Sequence, residues 1–284
     1  MRSHWLSPLL LPVLAAPASA NQAPAPQSVR VVLDFRDEVS ADEVRAFEAK
    51  YGIASTLNSI HSDAEELRVA EVEPGRVDAL LAKMQGDPLL EHAERSASYS
   101  IPETEAPAAP DGGEPLPGDF PNDPKYKHQW HLDQIKMPAA WTSDSGKGVV
   151  VAVIDTGVAY EDYGVFTRVP DLANTCIVPG FDFVGKNSHA NDDHGHGTHV
   201  AGTIAQSTNN GIGVAGVAYR ACIMPIKVLS AQGGGTTADI ADGIRFAADH
   251  GAQVINMSLG GPFPSAVMRD AVDYAYKKGV TIVA

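Results

Sequence analysis

The stretch Gly148-Val149-Val150-Val151-Ala152-Val153-Ile154-Asp155-Thr156-Gly157 decides the fold. It is almost wholly apolar, rich in β-branched residues, and ends on an acid. Such a run suits a strand buried on both faces. Downstream, residues 197–205 read as a helix, 222–228 as a strand, 237–248 as a helix and 254–257 as a strand. A further helix over 264–278 and a strand over 280–283 follow. Strands alternating with helices predict an α/β fold built on a doubly wound parallel sheet. Asp155 then leaves the carboxyl end of a central strand, where such sheets place function. Gly157 lets the backbone turn sharply beside it.

Upstream the pattern is different. Residues 29–35 read as a strand and 41–51 as a helix with Val44, Phe47 and Tyr51 on one face. Ser40 and Glu43 stand at capping-box spacing. Residues 67–72 alternate as a strand does, and Val77, Leu80, Leu81 and Met84 mark a second amphipathic helix. Residues 89–101 read as extended. This makes a small α+β unit without a catalytic constellation. Between the two regions, residues 102–120 are rich in Pro, Gly and acid and predict an exposed linker.

Composition narrows the function. The 284 residues are 44% hydrophobic and 20% charged, enough for a sizeable core. Acidic residues outnumber basic ones 35 to 21, for a net charge of −14, which opposes a nucleic-acid partner. Arg2, a short apolar run over 6–16 and Ala18-Ser19-Ala20 fit a secretory signal over 1–20. The run is too short to span a bilayer, so no membrane attachment is expected after signal cleavage. Two cysteines, Cys176 and Cys222, lie near the starts of strands. Export permits a bridge between them, and two buried thiols remain the alternative.

Three motifs carry the chemistry. Asp155 stands in Asp-Thr-Gly, His196 in Gly-His-Gly-Thr-His-Val-Ala-Gly-Thr, and residues 256–261 read Asn-Met-Ser-Leu-Gly-Gly. In order and spacing they resemble the subtilisin-like serine proteases over residues 121–284. The resemblance implies that Asp155 orients His196 and that His196 acts as general base in an Asp-His-Ser triad. It implies a peptide substrate laid between Gly233-Gly234-Gly235 and Ser258-Leu259-Gly260, mostly through main-chain hydrogen bonds. It implies structural calcium on the Thr208, Ile212 and Val214 carbonyls and the Asn210 side chain, with carboxylates from Asp171 and Asp123. A second such site after Phe181-Asp182-Phe183 lacks carboxylates.

The same resemblance makes residues 21–101 a ferredoxin-like inhibitory propeptide, plugging the site with its tail near Tyr99-Ser100-Ile101. The whole is then a secreted, monomeric zymogen acting on proteins or peptides. No Gly-Thr-Ser-Met-Ala type motif occurs in the sequence, so the chain is expected to stop before the nucleophile and the oxyanion-hole Asn. By itself it is expected to be nearly inert, since losing such a Ser costs on the order of 10⁶ in turnover.

Rival readings are fewer. A short, inactive chain could bind or inhibit another protease. His194, His196 and His199 approach a zinc-hydrolase pattern, with Thr198 where that pattern has an Asp. His199 otherwise reads as a packed helix residue. Residues 211–216 spell G-x-G-x-x-G, yet a helix precedes and a strand follows, the reverse of a dinucleotide site.

Overall fold

The computed structural model describes residues 28–63, 66–102 and 120–284. The expected signal over 1–20 and most of the linker lie outside these residues. Two packed units emerge.

The first unit is a four-stranded antiparallel sheet in the order β2-β3-β1-β4, from Ser55–Leu57, Leu67–Val72, Val29–Phe35 and Leu90–Arg95. Two helices, α1 (Ala41–Tyr51) and α2 (Val77–Met84), cover one face. Ser40 and Glu43 close the capping box at the head of α1. Strand alternation divides β1 between two jobs. Val31, Leu33 and Phe35 pack on Val44, Phe47 and Leu80 inside the unit. Val32 and Asp34 point the other way, and Val32 joins the core of the second unit. The extended stretch after β4 breaks into β5 (Ser98–Ser100), which leaves this sheet altogether.

The second unit opens with two short helices, α3 (Trp130–Gln134) and α4 (Met137–Ala140), which the apolar pattern did not reveal. Its sheet runs in the order β12-β11-β6-β9-β7, with β8 also pairing β9. These strands are Thr281–Val283, Val254–Asn256, Val150–Asp155, Cys222–Lys227, Cys176–Ile177 and Phe181–Asp182. Every pairing among them is parallel. The doubly wound sheet expected from the sequence is therefore present. Val151 and Val153 pack with α5 (His196–Ala205) on one face. Ala152 and Ile154 pack with α6 (Thr237–Asp249) and α7 (Ala266–Lys277) on the other. Cys176 and Cys222 are direct register partners on β7 and β9 and form a disulfide. No helix among the described residues is long and apolar enough to cross a membrane.

The units meet through polar as well as apolar contacts. Asn58 and Ser62 of the first unit donate to the buried Asp242 carboxylate on α6, at 2.9 and 2.6 Å. Glu94 accepts from the Ala266 amide and the Ser265 hydroxyl at the head of α7. The head of α7 in the second unit is thus capped further by the first.

Candidate active site

The site assembles where β6 ends and α5 begins. Asp155 is fully buried at the last position of β6. His196 is the first residue of α5, entered through Gly195 at φ 106°. The His196 Nδ1 lies 2.8 and 2.9 Å from the two Asp155 oxygens, and the Thr156 amide donates to Oδ1 at 2.6 Å. Burial pushes the Asp155 carboxyl up, while hydrogen bonds from His196 and Thr156 oppose that rise.

This closeness depends on two glycines. A Cβ on Gly197 would lie 2.2 Å from the Gly157 carbonyl oxygen. One on Gly157, at φ 102°, would lie 2.4 Å from the Asn191 carbonyl oxygen. Backbone therefore approaches backbone where any side chain would hold the strand end and helix head apart.

Several side chains that the sequence reading missed fasten the same corner. Asp192 accepts from the amides of His194, Gly195 and Thr198 at 2.8–2.9 Å and from both the Thr156 and Thr198 hydroxyls. The Thr156 hydroxyl in turn accepts from the Gly197 amide at 2.9 Å. Burial alone would raise the Asp192 carboxyl, but these donors hold it below the ordinary carboxylate range. Lys227, buried beside Asp155 on β9, donates to the Thr156 and Leu229 carbonyls and to Asp193. Asp192 stands two residues before His194, and Lys227 is a cation ending an otherwise apolar strand. Those two positions were the available signals.

The expected substrate walls enclose part of the chain itself. β5 pairs antiparallel with β10 (Gly234–Thr236), setting Ser100 opposite Gly234 and Tyr99 opposite Gly235. The Ile101 amide donates to the Gly233 carbonyl at 3.3 Å. On the other side Ser100 and Gly260 exchange two backbone hydrogen bonds of 2.9 and 3.0 Å. Tyr99 is buried against Gly261, where a Cβ would lie 2.7 Å from its ring. Of the six wall residues, Gly233, Gly234, Gly235 and Gly260 pair with the tail. Leu259 packs on the core, and the Ser258 hydroxyl accepts from Asn256.

The residues expected around calcium also converge. Asp123 and Asp171 are both buried and flank the 208–214 loop. Asp123 accepts from the Asn209 and Asn210 amides, and Asp171 from the Asn210 side chain and the Val214 amide. Thr208 and Ile212 lie in the same loop, with the Thr208 hydroxyl donating to the Gln206 carbonyl and the Ile212 amide donating to Asn210 Oδ1. Neither Asp has a Lys or Arg ion pair among the described residues. Two buried carboxylates thus meet at this loop, each already held by amide donors.

The triple-histidine pattern is not a metal cluster. His196 is engaged by Asp155, and the His194 and His196 ring centres are 6.4 Å apart. His199 is exposed on α5, not packed as its helical position suggested, because the buried stripe runs through Gly197, Ala201, Gly202 and Ala205.

The family model described as the subtilase family matches residues 146–284. Thermitase of Thermoactinomyces vulgaris is 42% identical over 58% of this chain and 56% of its own length. The thermophilic serine proteinase of Bacillus sp. (strain AK1) is 32% identical over 97% of the chain and 66% of its own. Fervidolysin from Fervidobacterium pennivorans, a keratinolytic enzyme related to subtilisin, superposes with a TM-score of 0.68 at 27% identity, over 90% of this chain and 39% of that structure. The chain thus spans 56–66% of the length of these two curated relatives.

Proposed function

The chain belongs to the subtilase family, and from that premise we propose that the protein it represents is a serine endopeptidase made as a secreted zymogen. The observation that carries this reading is the Asp155–His196 pair at the end of β6, facing two walls that already grip an extended peptide. With Nδ1 bound to the carboxylate, proton transfer falls to Nε2. His196 takes the proton from a serine hydroxyl as it attacks the peptide carbonyl, then returns it to the leaving amine. Asp155 holds the ring in the required tautomer and stabilises the imidazolium. The serine is the third member of the triad that the resemblance implies, and no such motif stands among residues 1–284.

Residues 21–101 act as the inhibitory propeptide. Their tail occupies the substrate path as an added strand, and main-chain pairing makes that fit tolerant of side-chain identity. Calcium, held by Asp123, Asp171, Asn210 and the loop carbonyls, would supply the positive charge that these carboxylates otherwise lack. Its role is structural and no proton step passes through it. The substrates are proteins or peptides, and the enzyme works outside the cell as a monomer.

A protein extended beyond Ala284 tests the reading. It should react with a serine-directed fluorophosphonate probe once residues 21–101 are removed, and His196→Ala should abolish the labelling. Undiminished labelling of that variant would remove His196 from the role of base.

A further inference from the structure

We propose that Asp34, Glu91 and Asp270 form a divalent-cation site that ties the first unit to the second. One ligand atom from each lies within 4.8 Å of the others. A cation about 2.4 Å from each, within the calcium–oxygen range, spans atoms no farther apart than this. Asp34 comes from β1 and Glu91 from β4 of the first unit, whereas Asp270 comes from α7 of the second. The site straddles the contact. It shares no residue with the 208–214 loop or with the Asp155–His196 pair.

A second observation points the same way. Asp34 is only 2% exposed, and its Oδ2 is buried with no hydrogen-bond donor. Leaving a carboxylate oxygen dry and unpaired costs free energy, which a bound cation would offset. The alternation of β1 puts Asp34 there, on the face directed at the second unit.

The surrounding charges leave room for such an ion. Arg245 from α6 acts on Asp34, and His92 from β4 sets its Nε2 2.5 Å from Asp270 Oδ2. Three carboxylates against one guanidinium leave an acidic excess at the contact, which a divalent cation offsets. Burial raises the Asp34 carboxyl against the opposing pull of Arg245. Separating the units splits the ligand set, so ion binding must favour the docked state.

Manganese alone, titrated into the full 284-residue chain and counted by electron paramagnetic resonance, tests the site. Asp34→Asn and Glu91→Gln should each bind one ion fewer than the unsubstituted chain. Asp171→Asn, in the other loop, should retain the ion those variants lose. Glu91 is exposed, so its amide variant keeps the fold even where Asp34→Asn does not, and circular dichroism verifies this. Equal ion counts in the unsubstituted chain and in Glu91→Gln would overturn the proposal, leaving an ion-pair network around Arg245.

Discussion

His61 shows how one side chain can make docking depend on pH. It belongs to the first unit, yet its ring stands edge-on to Phe181 and Phe246 of the second, at centroid distances of 4.5 and 4.8 Å. Its Nε2 is buried without a hydrogen-bond partner. Burial is the main cause of a lowered His61 pKa, the nearby His250 adds to it, and Asp242 opposes it. A base whose folded-state pKa is depressed stabilises the fold above its unfolded value of 6.5 and loses that stability as pH falls below it. His61→Phe keeps the aromatic contact and removes the proton. The melting midpoint of the unsubstituted chain should therefore fall relative to this variant by roughly a few degrees between pH 7 and pH 5. A difference that stays constant over that range would show that His61 is not buried in its neutral form.

Among the elements, β6 and α5 show how little tolerance the candidate site has. The helix head can meet the strand end because Gly197 adds no atom between them, and Asp192 ties the incoming loop to both. Gly197→Ala must push α5 away from the Gly157 carbonyl. That overpacking should cost about 1–3 kcal/mol of stability. A displacement near 1 Å should also lower probe labelling of the extended protein roughly 10²-fold. Full labelling with normal melting would mean that the corner relaxes without moving His196. Asp155, His196 and the alternation of strands and helices were legible because each is written locally, in a hydrophobic period or a contiguous motif. Asp192 and Lys227 were not, since their value lies in partners brought close only by β6, β9 and α5 packing side by side.

At the level of the whole molecule, the first unit both covers the α6–α7 face and lays its tail between β10 and Gly260. β5 gains its partners from the second unit alone, which is why it abandons the sheet containing β1 to β4. Ser100→Pro removes the amide that donates to Gly260 from a strand paired on both sides. Added separately to the extended, processed protein, residues 28–102 carrying this change should inhibit about tenfold or more weakly than the unsubstituted unit, a loss of about 1.4 kcal/mol. Equal inhibition would place the main grip on the α6–α7 face, through Glu94, Asn58 and Ser62.

The apolar run into Asp155, the histidine motif after it and the β-α alternation determine by themselves the parallel sheet and the two residues facing each other across its carboxyl edge. Periodicity and contiguous motifs need no knowledge of distant partners, so a linear reading recovers them. Only the tertiary structure decided that Cys176 bonds Cys222, that Asp192 clamps the His196 helix, that His199 faces outward, and that Asn58 and Ser62 reach the buried Asp242. Each depends on which surfaces end up adjacent, and adjacency across tens of residues is set by packing of whole elements, not by local pattern. The Asp155–His196 pair belongs to both: its residues are written in the chain, while its 2.8 Å contact exists because two glycines let a strand end and a helix head touch.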